Sequence, residues 1–401
     1  MPIGTAVHDR TLALCESLNY REWSGYFAVS SYEVHFHHEY NAIRNSAALI
    51  DISPLFKYRI SGPDARRLVD RVVTRDMTKV AVGQMVYTPW CDERGKVVDD
   101  GTVTRLDEDV YRMTAADPTL RWIQDNAAGL NAKIEDVSNA VAALALQGPT
   151  STAVLRDAAQ ADIRNLKYFR MTRGTIDGVP VEITRNGYTG DLGYEIWLPW
   201  DQGTRVWDAL TRAGRAHGLR AAGMLALDVA RIEAGLLLIE VDYLSSRRAT
   251  IDDQTSTPDE LGWDRLVHLD KAEPFVGRAA LAAGRARGGA VRRIVGLDLD
   301  WTDVERLHER FHLTPSIPAA ASRVSVPVYK GDRQVGKATS TTWSPTLKKM
   351  IALATVESSL AAPGTLLQME ITVEANRLKA GARVTPLPFF NPPRKTAVPA
   401  V

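Results

Sequence analysis

Residues 183–198 read ITRNGYTGDLGYEIWL. Two alternating runs, Val181–Arg185 and Tyr194–Leu198, flank a centre built on Asn186-Gly187, Thr189-Gly190 and Leu192-Gly193. Alternation with β-branched and aromatic residues predicts two strands, and the glycine pairs predict a tight, irregular loop between them. Tyr188 stands early in that loop and Glu195 just inside the second strand. A phenol offers stacking area and a carboxylate accepts two parallel N–H bonds, so the pair suits a flat, hydrogen-bonding ligand. A plain hairpin with a packing tyrosine and a solvated glutamate also fits these residues, and on them alone is the commoner case.

Working outward, the same grammar appears twice. Lys57–Ser61 reads as a strand followed by Gly62-Pro63-Asp64-Ala65 and a helix to Val73, with Pro63 suited to the first helical position. Ala142–Gln147 is followed by Gly148-Pro149-Thr150 and a helix to about Ala159. Between these units lie strands at Met85–Trp90, Val97–Arg105 and Val110–Thr114 and a helix near Pro118–Asn126. An early helix is expected over Glu39–Ala47, and later ones over Asp201–His217, Met224–Ala234 and Val276–Ala286, with a long polar loop over Asp242–Pro258. From Val291 short strands separated by turn signals predict a small antiparallel barrel or sandwich, and Asn391–Val401 an extended proline-rich tail.

Composition narrows the function. In 401 residues, 45% hydrophobic and 24% charged content describe a globular chain with a sizeable core. A net charge of +1 gives no support to nucleic-acid or anionic-membrane binding. Two cysteines, Cys15 and Cys91, suggest no disulfide scaffold and a reducing, cytoplasmic setting. The N-terminus has no signal-peptide pattern, and no apolar run is long enough to span a bilayer. His35, His37 and His38 lack a carboxylate or cysteine partner, so no metal site is expected.

Val97-Val98-Asp99-Asp100-Gly101-Thr102 is the second candidate site. Asp-Gly is a turn signal and a hairpin tip is one account, yet the flanking residues read as continuous strand. Neighbouring strand residues face opposite ways, so at most one of the two aspartates looks into a given pocket. That carboxylate can accept a proton or balance a cationic intermediate. No nucleophile elbow, P-loop or dinucleotide fingerprint is present, which leaves carboxylate-assisted transfer between two bound molecules.

These motifs together resemble the glycine-cleavage T-protein (aminomethyltransferase) superfamily, nearly end to end. The carriers are Glu39–Arg44 with Ile50-Asp51-Ile52-Ser53, Gly83–Thr88, Gly95–Val103, Leu146-Gln147-Gly148-Pro149, Arg185–Glu195, Arg231-Ile232-Glu233-Ala234-Gly235, Phe275-Val276-Gly277, Val335-Gly336 and Thr341–Leu353. The resemblance implies an α+β fold: a three-domain cloverleaf of two α+β domains and a C-terminal antiparallel β-barrel-like domain around a central tetrahydrofolate site. The expected boundaries are 1–52 with 138–246, then 53–137, then 247–401. It implies that Asp100 is the folate-site aspartate, Tyr188 the pterin-site tyrosine and Glu195 the pterin-binding glutamate, with Tyr87 lining the same hole. Arg231 and Glu233 read as structural, paired with neighbours, while Trp90 and Trp263 are candidate walls of a donor pocket.

Departures from the family's pattern surround the one-carbon donor. Leu227 stands where glycine-cleavage members have arginine, Ser53-Pro54-Leu55-Phe56 replaces Ser-His-Met-Gly, Glu240-Val241-Asp242 replaces Gly-Asn-Asp, and an asparagine near Thr114 is missing. The expectation is therefore an enzyme, a tetrahydrofolate-dependent demethylase moving a methyl group from a small O-, S- or N-methyl metabolite. The alternative is an aminomethyltransferase served by a lipoyl carrier protein and producing 5,10-methylenetetrahydrofolate. A non-catalytic folate-binding module is disfavoured by the absence of cysteine in Ala249–Gly262, and a flavin-dehydrogenase fusion by the lack of a dinucleotide domain.

Overall fold

The computed structural model describes residues 1–398; the end of the expected tail, residues 399–401, lies outside them. The strands Val179–Thr184 and Gly193–Pro199 pair antiparallel, with Thr184 opposite Glu195 and Ile183 opposite Ile196. They are central in a seven-stranded sheet ordered Ala159–Ala161, Met171–Ile176, Val179–Thr184, Gly193–Pro199, Val141–Gln147, Ala47–Asp51, Leu219–Ala221. Period-2 alternation gives this sheet two apolar faces. Leu144, Leu146, Ile183 and Ile196 pack with Val206, Trp207 and Leu210 of the helix Gly203–Gly214. Trp197, Ala143 and Ile50 pack on the other side with Ala226, Val229 and Ala230 of the helix Met224–Glu233. Each such aliphatic side chain withdrawn from water contributes about 1.5–3 kcal/mol.

The second sheet runs Met85–Cys91, Val97–Asp107, Val110–Ala115, Phe56–Ser61, Lys133–Asp136. Asp100 and Gly101 are not a hairpin tip: they sit mid-strand, opposite Pro89 and Thr88. A Cβ on Gly101 would lie 2.0 Å from the Thr114 carbonyl oxygen, so glycine serves close strand approach here. Pro63 also departs from expectation. Asp64 occupies the N-cap of the helix Ala65–Val72, and Pro63 belongs to the turn closed by Ala65 N–H donating to Gly62 O at 2.9 Å.

The α+β class and the C-terminal barrel hold. Strands Arg292–Leu299, Lys349–Glu357, Arg333–Ser344, Val326–Lys330, Leu366–Val373 and Asn376–Thr385 close a barrel in that order, which removes every edge. Leu297, Val328, Ala354, Val356 and Met369 fill its core.

Buried ion pairs lock the barrel to the first sheet's helices. Glu233 accepts from Arg44 Nη2 at 2.6 Å, from the Tyr40 hydroxyl at 2.5 Å and from Ser344 Oγ at 2.5 Å. Arg231, 0% exposed, donates to Asp242 Oδ2 at 2.5 Å and to Ser340 Oγ at 2.8 Å. Breaking one partner of such a pair typically costs about 3–5 kcal/mol. The tail is docked rather than free: Arg394 grips Asp191 at 2.6 and 2.8 Å, and Arg185 Nη2 donates to Ala397 O at 2.5 Å. No helix among the described residues is long and apolar enough to cross a membrane.

Candidate active site

The glycine-shaped loop is held by a plug. Gln147, at the end of its strand, donates through Nε2 to Asn186 O and Tyr194 O, each at 3.2 Å, and accepts from Thr189 Oγ1 at 2.8 Å. A Cβ on Gly187 or Gly193 would lie 1.9 or 2.3 Å from Gln147 Oε1, so glycine is needed on both sides of the plug. The result places Tyr188 with its hydroxyl donating to the Leu237 carbonyl, beyond the end of the helix Met224–Glu233.

Asp100 is clamped. Tyr87, on the neighbouring strand, donates to Oδ2 at 2.7 Å, and Tyr243 donates to Oδ1. Trp263 lies edge-on to both phenols, with centroids 5.8 Å from Tyr87 and 5.5 Å from Tyr243. Burial foremost, with the negative charge of Asp100 adding, holds the Tyr87, Tyr188 and Tyr243 phenols above their usual range, so all three remain donors at neutral pH. Burial raises the Asp100 carboxyl, and the two hydroxyl bonds draw it back. Beneath it Asp99, 0% exposed, accepts from the backbone N–H groups of Asp100 at 2.7 Å and Asp117 at 3.0 Å. Burial first, then the charge of Asp100, pushes Asp99 well up.

Glu195 is a different kind of carboxylate. It is 9% exposed and forms no ion pair among the described residues within contact distance. Burial lifts it to about 7, against a pull downward from the Asn186 side chain and the Arg112 charge. Arg112 reaches from the second sheet to Glu182 and over the Trp197 ring, 4.1 Å from its centroid. Asn186 Oδ1 and Arg112 Nε and Nη2 are buried without partners among the described residues.

Tyr87 and Asp100 are thus in contact, Tyr188 stands in electrostatic range of both, and Glu195 occupies a separate station with Asn186 and Arg112. Sequence reasoning missed Tyr243, Asn186 and Arg112; the signal for Tyr243 was a phenol directly after Asp242 in the loop. Trp90 does not line a pocket: it is 0% exposed in the core of the second sheet, opposite Asp99. Leu227 is half-buried and packs with the cluster that includes Ala226 and Ala230.

The GCVT N-terminal domain matches residues 5–271, and the Glycine cleavage T-protein C-terminal barrel domain matches residues 308–391. An aminomethyltransferase of Moorella thermoacetica is 36% identical over 361 residues, which cover 89% of this chain and 90% of that protein. A trimethylamine-oxide aldolase of Ruegeria pomeroyi is 34% identical over 401 residues, covering 97% of this chain but 47% of that protein, so the chain spans about half its length. The crystal structure of the glycine cleavage system aminomethyltransferase T from Bartonella henselae superposes with a TM-score of 0.82 at 23% identity, over 98% of this chain and 99% of that one, a likeness of fold. With both halves of the pattern matched in order, the chain belongs to the glycine-cleavage T-protein family.

Proposed function

We propose that the chain is a tetrahydrofolate-dependent demethylase that moves a methyl group from a small O-, S- or N-methyl metabolite to N5 of tetrahydrofolate. Membership of the family makes it a one-carbon transferase; the donor and the fate of the carbon are the parts proposed. The residues fit the folate. Glu195 and the orphaned Asn186 Oδ1 are neighbouring acceptors suited to the row of donors on a pterin's amino-pyrimidine edge. Tyr188, two residues further along the loop than Asn186, offers ring area.

Leu227 is the observation that carries the donor class. A half-buried apolar side chain stands where the family's aminomethyl site has arginine, and Phe56 and Val241 change in the same direction. The neighbouring Asp228 is already held by Arg323 at 2.6 Å and by Arg21 at 3.5 Å. Loss of that cation favours a donor carrying less charge than a lipoyl-bound aminomethyl group.

Bound tetrahydrofolate supplies the nucleophilic N5. The donor's heteroatom–methyl bond would break, its electron pair staying on the heteroatom, as the methyl–N5 bond forms, and the N5 proton would be lost, passing on to an oxygen or nitrogen leaving group or, with a sulfonium donor, to solvent. Asp100 is the group that takes up that proton. The hydroxyls on its two oxygens orient the carboxylate and offer a return path for the proton. Trp263, with the two phenols, excludes water from this step.

An aminomethyltransferase is the second reading, favoured by the name of the Moorella relative. Mass spectrometry of folate products separates the two. Purified protein and tetrahydrofolate are incubated with methoxy-aromatic, methylsulfonium or N-methyl donors, with Asp100→Ala as control. Appearance of 5-methyltetrahydrofolate with one donor pool, lost in the variant, is the expected result. Product only with a lipoyl-aminomethyl carrier would establish the second reading instead.

A further inference from the structure

Arg112 leaves one edge of its guanidinium unused. Nη1 donates to Glu182, while Nε and Nη2 have no partner among the described residues, on a side chain 5% exposed. The Nε–Nη2 edge is a planar fork that meets acceptor lone pairs side by side. Arg285 holds Asp259 with that edge at 2.8 and 2.7 Å, and Arg394 holds Asp191 with it at 2.6 and 2.8 Å. In Arg112 the same edge is bare, although this guanidinium is buried more deeply than either of those. A buried N–H without an acceptor is unfavourable in the free protein and gains most from a ligand that brings one.

Strand register fixes where this edge lies. On the first sheet Glu182 stands opposite Trp197 and Thr184 opposite Glu195, so these four side chains share one face. Trp197 Nε1 donates to Thr184 Oγ1 at 3.0 Å, which ties the indole into that block. Arg112 lies on the block, paired with Glu182 and 4.1 Å from the Trp197 ring centroid, one same-face step along the strand from Glu195. On its own sheet Arg112 stands opposite Thr104, which shares a face with Thr102 and Asp100. Strand rise puts it about 13 Å along that face from Asp100. Arg112 and Glu195 are both buried, yet they form no ion pair with each other. A ligand that presents an acceptor beside its donors would bond to both.

We propose that Arg112 donates through its Nε–Nη2 edge to the 4-oxo oxygen of the pterin whose donors meet Glu195, and so selects 4-oxo over 4-amino pteridines. The proposal rests on the folate reading and deepens it. On a pterin's amino-pyrimidine edge the 4-oxo oxygen stands directly beside N3–H, with the 2-amino group beyond. A carboxylate on the two donors leaves that oxygen for a neighbouring cation. A 4-amino group in its place would set N–H donors against N–H donors, and N3 would no longer carry a hydrogen for Glu195. Glu182 on Nη1 and the Trp197 ring hold the fork in place, so a lysine there would keep the charge and lose the geometry.

Calorimetric titration of the full chain with tetrahydrofolate and with its 4-amino analogue tests this. The wild type is expected to bind the 4-oxo form about 100-fold more tightly. In Arg112→Met that preference should fall about tenfold, the share of one charge-assisted hydrogen bond, while the part due to Glu195 remains. Arg112→Lys should lose a similar share and, keeping a charge beside Glu182, carries the test if Arg112→Met does not fold. An arginine that merely braces the two sheets would, on removal, weaken both pteridines alike. A preference within about threefold of the wild type's in a folded variant would therefore overturn the proposal. If neither form binds the wild type, the folate reading falls and this role with it; if both bind equally, only the role of Arg112 falls.

Discussion

Two buried carboxylates, Asp100 and Glu195, stand at the two stations of the site and are treated in opposite ways. Asp100 has both oxygens occupied by phenol hydroxyls from separate segments, so its orientation is set before any ligand arrives. Glu195 has one amide side chain and a more distant guanidinium, and it sits at about 7 because little offsets its burial. A buried acceptor left short of donors is unfavourable in the free protein and gains most when a ligand brings them. Under the proposed function, the saturated carboxylate would handle the proton and the unsaturated one would recognise the folate.

The largest expected effect is on turnover at the saturated end. Asp100→Asn should lower kcat by about 10²–10⁴-fold while shifting the tetrahydrofolate Kd little, measured by product formation and by titration of the same sample. A collapse of binding instead would merge the two stations. Glu195→Gln should do the reverse, weakening folate binding by about 2–3 kcal/mol, since a charge-assisted pair is lost.

The pH dependence sharpens the contrast. With Glu195 near 7 in the free site and ionised when bound, binding below that pH must release a proton. The Kd should then rise by up to about tenfold per pH unit below 7 and level off above it, with proton release visible as a buffer-dependent binding enthalpy. The same raised value means that the unliganded fold loses stability as pH climbs from the ordinary 4.5 toward about 7, a loss absent in Glu195→Gln. Tyr243→Phe should have the smallest effect, about tenfold in kcat. Removing a hydroxyl that draws the Asp100 carboxyl down should move the acid limb of the rate profile to higher pH.

Much of the scaffold was legible wherever periodicity and turn chemistry agreed. The hairpin around residues 183–198, the strand–Gly-Pro–helix units and the barrel strands that alternation predicts at Arg293–Leu299, Val326–Tyr329, Gln334–Ser340, Ile351–Val356 and Leu366–Ile371 fall where alternation and glycine place them. The sixth, Asn376–Thr385, was missed because its polar residues and Gly381 hide the alternation that the barrel enforces. The helix Trp301–Glu309 was missed although Asp300 marks its start, accepting from Thr302 N–H at 3.0 Å. At the site, the residues found in advance sit on local motifs. Tyr243 and Arg112 come from distant segments, brought in by tertiary packing that no local pattern encodes.

The docked tail has one more consequence, for how the site opens. Arg394 and Asp191 are 203 residues apart, yet their pairing fastens the segment leaving the barrel across the loop that carries Tyr188. Phe390 adds to this clasp, its ring 4.4 Å from the Arg44 guanidinium and its N–H on the Glu233 carbonyl at 2.8 Å. A glycine-rich loop standing alone would open nearly freely; fastened this way, it shares the opening free energy of a much larger cooperative unit. Amide exchange at Tyr188–Asp191 should therefore keep step with that of Phe390–Ala397, so that the loop is only as mobile as the docked segment allows.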